Sequence, residues 1–231
     1  MGSFIRAITL PLVAGFLLSG CALGRSVIDV NVPDVAAAAT GQPVKIVEVK
    51  DARVFLASPK DPSQPSLSDE ADLKNVAITS RAVGRKRNGY GAALGDLVLP
   101  ENRTVSGLVK IAAVQALQEK GYRVVEAASP DYAEATPLTL KVEQFWAWFT
   151  PGFVSITMSF DSSVTLTGGV VAPSPATARG QFSSSGMAAF ESDWKEVIQR
   201  GLADLTAKIK EHIKPAGAAI SQRPLLVGVG S

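Results

Sequence analysis

Cys21 is the only thiol and His212 the only imidazole in 231 residues. One cysteine cannot form an internal disulfide, and one histidine without further thiols does not build a zinc site. Serines are abundant, but none stands in a nucleophile elbow or beside a recognisable base. Asp51 and Arg53 lie two apart and can point the same way from a strand end. No histidine, cysteine or second acid stands near them in sequence, so an ion pair or turn cap is the expected role. His212 reads as a favourable side chain at a helix C-terminus. No catalytic residue, metal ligand or cofactor is expected.

Two stretches suggest binding. Gly84-Arg85-Lys86-Arg87-Asn88-Gly89-Tyr90-Gly91 places three consecutive cations, Arg85, Lys86 and Arg87, beside glycines. Such a stretch can meet phospholipid head groups, lipopolysaccharide phosphates or an acidic partner, at about 1 kcal/mol per cation near an anionic surface. The plainer reading is a solvated loop whose glycines serve tight turns, and the modest net charge favours it. The spacing Gly89-x-Gly91-x-x-x-Gly95 follows a basic loop instead of an apolar strand, which excludes a dinucleotide fingerprint. The second stretch is Phe145-Trp146-Ala147-Trp148-Phe149, with Phe153 beyond a Thr150-Pro151-Gly152 turn. In a strand, Phe145, Ala147 and Phe149 share one face and Trp146 and Trp148 the other. A two-layer domain buries one face only. Trp146, Trp148, Phe149 and Phe153 are therefore candidates for an interface with a partner, a second copy or lipid, unless tether or tail shields one pair.

The elements that must hold these residues follow from periodicity. Val44 to Val49 is β-branched and strand-like. Ser58 to Asp72 has three prolines and reads as a loop, and 81–95 as a glycine-rich basic loop. Asn102 or Thr104 can cap a helix running to about Lys120, with Val105, Leu108, Val109, Ala112 and Ala116 on one stripe and Gly121 at its end. A short strand follows at Tyr122 to Glu126. From Leu138 the period becomes two, predicting strands around 138–149, 152–171 and 177–188 as an antiparallel meander. Trp194, Val197, Ile198, Leu202, Leu205, Ile209 and Ile213 form the stripe of a helix over 190–213. The expectation is a single α+β domain: a mainly antiparallel sheet with two amphipathic helices on one face. With 46% hydrophobic and 19% charged residues a real core can be buried.

Ahead of this domain, Met1 to Arg6 carries one positive charge. Ala7 to Leu18 is an apolar run and Ser19 and Gly20 are small, the order of a secretory signal. The run is too short to span a bilayer, which needs about 20 apolar residues. Removing residues 1–20 takes away Arg6, so the net charge of +2 becomes +1, a balance that argues against nucleic acid as a partner. Leu18-Ser19-Gly20-Cys21 resembles the lipobox of bacterial lipoproteins. The resemblance implies diacylglyceryl transfer to the Cys21 thiol, cleavage before it, and acylation of the new amine. Two or three acyl chains anchor firmly where one binds marginally, at about 0.8 kcal/mol per buried methylene. Ala22 follows, without the aspartate that retains such lipoproteins in the inner membrane, which implies the outer membrane and a periplasm-facing domain. The chain then divides into a signal (1–20), a lipidated N-terminus and flexible tether (21–43, in which Ser26 to Val32 can form an edge strand), the domain (44–213) and a loose tail (214–231).

The mature chain also resembles the YajG-like lipoproteins, through Lys50-Asp51-Ala52-Arg53 after a strand and a helix ending Leu117 to Tyr122, followed by paired strands and a final amphipathic helix. A longer insert at 57–75 and a longer tail depart from that pattern. The resemblance implies an envelope lipoprotein and supplies no catalytic residues. The leading expectation is a non-enzymatic protein that binds or scaffolds an envelope component, with the membrane as partner through lipid on Cys21. The runner-up is an accessory subunit of an envelope transport or assembly complex, docking or self-associating through the aromatic hairpin. A hydrolase of envelope polymers is the third class.

Overall fold

The structure is a computed structural model that describes residues 24–31, 40–88, 90, 92–171 and 175–217. The expected signal segment, Cys21, residues 22–23 and 32–39 of the expected tether and 218–231 of the expected tail lie outside the described residues. In chain order the elements are β1 (Ser26–Val27), β2 (Gln42–Asp51), the short helix α1 (Val76–Thr79), β3 (Ala82–Arg87), β4 (Ala93–Val98), α2 (Val105–Glu119), β5 (Tyr122–Val124), β6 (Thr136–Pro151), β7 (Ile156–Gly168), β8 (Ala176–Gly186) and α3 (Glu191–His212).

All eight strands join one mixed α+β sheet. Its axis is β6, the longest strand. Along one edge β6 pairs antiparallel with β7, which pairs antiparallel with β8. Along the other edge it pairs parallel with β2 up to Val142 and then, at Ala147, with β3. Two strands therefore share one edge of β6 in succession. β5 flanks β2, β4 flanks β3, and β1 runs parallel to β4 at the margin. An extra residue at Glu143 shifts the β6–β7 register. This bulge keeps Leu138, Leu140 and Val142 on the same buried side as Phe145 and Ala147, although the count between them is odd.

The helices form where the apolar spacing places them, and both cover that side of the sheet. Thr104 caps α2 by accepting from the Gly107 amide at 3.1 Å. Gly121, at φ +85°, ends it in the left-handed region that favours glycine. The Asp193 carboxylate accepts from the Phe190 amide at the start of α3. Val105, Leu108, Val109, Ala112, Ala113, Ala116 and Leu117 of α2 are buried, as are Trp194, Val197, Ile198, Leu202, Leu205 and Ile209 of α3. α3 lies very close to β7 and β8: a Cβ on Gly201 would stand 2.0 Å from Cδ1 of Phe160, and one on Gly180 would stand 2.5 Å from the Leu205 nitrogen.

Three expectations need correction. The glycine-rich basic stretch is no loop: residues 82–87 and 93–98 form an antiparallel hairpin. Gly84 serves close packing, since a Cβ there would stand 2.7 Å from the Ala147 carbonyl oxygen on β6. The turn is made by Asn88, whose side-chain oxygen accepts from the amides of Tyr90 and Ala92. Secondly, packing begins well before Val44: β1 pairs with β4, and Ile28 and Val30 are buried in the main core. It also runs past residue 213, because the Lys214 and Ala216 amides donate to the carbonyls of Val170 and Lys120. Thirdly, the sheet is covered on both faces around the second half of β6. Residues 53–80 fold across the side away from the helices and bury a second cluster of Leu67, Ala82, Val98 and Trp146 with Phe55, Leu73, Ile78 and Trp148.

The helix–sheet contact at Gly201 gives a test. Helix propensity alone would make Gly201→Ala stabilising by about 1 kcal/mol. Contact with Phe160 should reverse the sign, giving a loss of about 1–3 kcal/mol in equilibrium urea unfolding.

Candidate functional site

The Asp-x-Arg pair sits where β2 leaves the sheet. The Arg53 side chain is fully buried and spends its donors in several directions. Nε and Nη2 donate to the two Asp51 carboxylate oxygens at 2.9 and 2.7 Å, a forked pair. Nη1 donates to the carbonyls of Ala82 (2.6 Å) and Phe145 (3.2 Å), and Nη2 also to Thr79 (2.8 Å). The guanidinium lies 5.2 Å from the Phe55 ring centroid. The Arg53 amide donates to Asp51 as well. Asp51 thus has both oxygens committed, and the pair acts as a structural clamp.

β3 carries the three predicted cations, but they do not form one free patch. Arg85 stands opposite Asp96 in the β3–β4 ladder. Asp96 is buried and accepts from the amide and hydroxyl of Ser68 at 2.8 and 2.9 Å, with Arg25 at 3.8 Å. Burial pulls the Arg85 guanidinium below its ordinary pKa, and the Asp96 charge opposes that shift. The Arg85 Nε is buried and has no hydrogen-bond partner among the described residues. Arg87 donates to the Ser66 hydroxyl at 3.2 Å; its pKa is lowered by burial and then by the charge of Arg85. Lys86 donates to the Ser26 hydroxyl at 2.9 Å and so ties β3 to β1. All three side chains are half-buried.

The aromatic candidates separate into covered and open groups. Trp146 is buried and meets Phe55 edge-on at 5.9 Å. Trp148 is half-buried in the same cluster. Phe149 packs on the helix side, 6.4 Å from Trp194. Both faces of the aromatic strand are therefore covered, and among the described residues the shield on the Trp146 face is the 53–80 segment. Phe153 differs: it is fully exposed, in a tight turn closed by the Gly152 amide donating to the Ser155 carbonyl. Val154 beside it is exposed too. Ile156 pairs with Pro151 on one side and Gly186 on the other. That register brings the 152–155 turn next to the β8–α3 connection, where Met187 and Phe190 are exposed. Sequence reasoning found Phe153 and missed Val154, Met187 and Phe190. The available signal was apolar side chains in connections, where polar ones are usual.

A groove of about 260 Å³ runs between α2 and α3. Leu108, Ile111, Ala112, Leu202 and Ala203 give it an apolar floor and walls. Glu119 and Lys210 close one end with a 2.6 Å ion pair. Hydrogen bonds from Lys210 and Gln115 hold the Glu119 carboxyl below its ordinary pKa. Among the described residues no cluster of three potential metal ligands occurs, and no helix is long and apolar enough to cross a membrane.

No family model matches the chain, and no curated protein matches it closely. Among solved structures, an uncharacterised protein aligns with a TM-score of 0.40 at 10% identity, over 82% of this chain and 97% of its own. A Xanthomonas campestris protein described as DUF330 aligns with a TM-score of 0.34 at 11% identity, over 82% of this chain and 90% of its own. Likeness at this level says nothing about function.

Two substitutions separate clamp from tip. Arg53→Leu removes the clamp and leaves the Asp51 carboxylate and three carbonyls without their donor; urea unfolding should show a loss of about 3 kcal/mol or more. Phe153→Ser removes an exposed side chain and should change stability by less than about 0.5 kcal/mol.

Proposed function

We propose that the protein is an exported lipoprotein, held by acyl chains on Cys21 at the periplasmic face of the outer membrane, whose domain binds or scaffolds an envelope component without catalysis. The observation that carries the reading is the only thiol of the chain, Cys21, standing directly behind a segment with the order of an export signal and three residues ahead of Gly24, whose amide donates to the Leu94 carbonyl of β4. The short motifs shared with the YajG-like lipoproteins, Asp51 to Arg53 and Leu117 to Tyr122, accord with it. The non-enzymatic part is supported by Asp51, the acid beside Arg53, being fully engaged in the clamp. The groove between α2 and α3 is the concave apolar surface best suited to a segment of the bound component.

A second reading, an accessory subunit of an envelope transport or assembly complex, is favoured by the exposed tip at Phe153, Val154, Met187 and Phe190. Four apolar side chains at adjoining connections are more than the scattered exposure usual for a folded domain.

Metabolic labelling with palmitate tests the anchor. The full chain should incorporate label and sediment with membranes. Cys21→Ser should lose the label and accumulate with its signal uncleaved. A chain that is unlabelled and soluble without the substitution would contradict the proposal.

A further inference from the structure

We infer that the end of the sheet bearing the 152–155 turn and the 187–190 connection rests in the bilayer interface, with Phe153, Val154, Met187 and Phe190 among the lipid head groups. This deepens the proposed function and rests on lipidation at Cys21.

Strand directions come first. β6 and β3 are parallel, so both finish at the same end of the sheet. β4 is antiparallel to β3 and begins at that end, and β1 is parallel to β4. The chain therefore enters β1 from the end where β3 and β6 finish. Gly24 confirms the placement: its amide donates to the Leu94 carbonyl at 3.2 Å, at the start of β4. Cys21 lies three residues earlier. Three residues reach at most about 10 Å, so a lipid on Cys21 enters the membrane close to this end.

The same end carries the exposed apolar side chains. β7 begins there and β8 finishes there, so the β6–β7 turn, the β8–α3 connection and the β3–β4 turn adjoin it. Phe153, Val154, Met187, Phe190 and Tyr90 are all exposed on those three connections. The other large exposed hydrophobics among the described residues, Val27, Val47, Val54, Leu56 and Val76, are spread over strands and the 53–80 layer and form no comparable group. The asymmetry selects the bilayer as occupant: the lipid-bearing cysteine and the apolar tips share one end. Interfacial regions accept aromatic and apolar side chains on a rim of polar backbone. The attraction is apolar more than ionic, since α3 opens there with Glu191 and Asp193, and Lys86 and Arg87 of β3 donate to Ser26 and Ser66 within the domain.

The test uses the full chain in intact cells, with the photoreactive residue benzoylphenylalanine in place of Phe153, or in place of exposed Thr177 at the start of β8 on the opposite end. After irradiation, the product with the probe at 153 should carry the mass of a phospholipid, at least tenfold more often than the product with the probe at 177. Equal phospholipid yield at both positions would overturn the inference, as would no adduct at 153. Attachment of 153 to another protein, with no phospholipid adduct, would replace the bilayer with a docking partner. Sedimentation of the unsubstituted chain separates the two layers of argument. A sedimenting chain with no phospholipid at 153 keeps the anchor and overturns the orientation; a soluble chain overturns both.

Discussion

A single buried guanidinium makes the sheet possible. β6 offers one edge to two strands in turn, β2 up to Val142 and β3 at Ala147. Between them the Phe145 carbonyl has no strand opposite it, and a buried carbonyl without a donor costs about 1–3 kcal/mol. Arg53 fills the gap. It donates to Phe145 on β6, to Ala82 at the start of β3 and to Thr79 at the end of α1, while Asp51 at the end of β2 holds its charge. One side chain thus continues the ladder through the handover. Lysine would supply charge without the planar fork that reaches four groups at once.

The rest of the architecture follows from that handover. Because β2 stops and β3 starts on the same edge, residues 53–80 must leave the sheet and return. They do so over the face opposite the helices, and this covers Trp146 and Trp148, which a two-layer domain would expose. With both faces of the second half of β6 covered, the apolar exposure next to that strand lies at its end, at the turn after Pro151 and the adjoining start of α3. Arg87 of β3 donates to Ser66 of the same layer, and Arg85 stands opposite Asp96, which accepts from Ser68 of that layer.

The parts legible in the sequence are those governed by local period. The stripes of α2 and α3 and the alternation of β6, β7 and β8 each fit within one element, so spacing alone predicts them. The Asp51–Arg53 ion pair was legible for the same reason: the two residues lie two apart at a strand end. The carbonyls Arg53 reaches lie 26, 29 and 92 residues away, beyond any local pattern. The β3–β4 hairpin was misread because Gly84, needed where β3 meets Ala147, looks like turn glycine. Asn88-Gly89, eight residues ahead of the apolar run Leu97-Val98-Leu99, was the usable hairpin signal. β1 is only two residues long and pairs with a strand some seventy positions on, so its alternation could suggest an edge strand without placing it. At the tip, Phe153 was legible as an aromatic beyond a turn. Phe190 was absorbed into the helix, and Met187 into a strand end, where its exposure depends on register with β7.

The early start of packing also changes how the domain would sit on the proposed Cys21 anchor. A tether reaching to Val44 would let it range about 75 Å from the lipid, whereas packing from Gly24 limits the gap to about 10 Å. Neutron reflectometry of the full acylated chain in a supported bilayer measures that gap directly. A lipid-held domain seated on its sheet end predicts protein density continuous with the head groups. A water layer much thicker than about 10 Å between head groups and protein would contradict it.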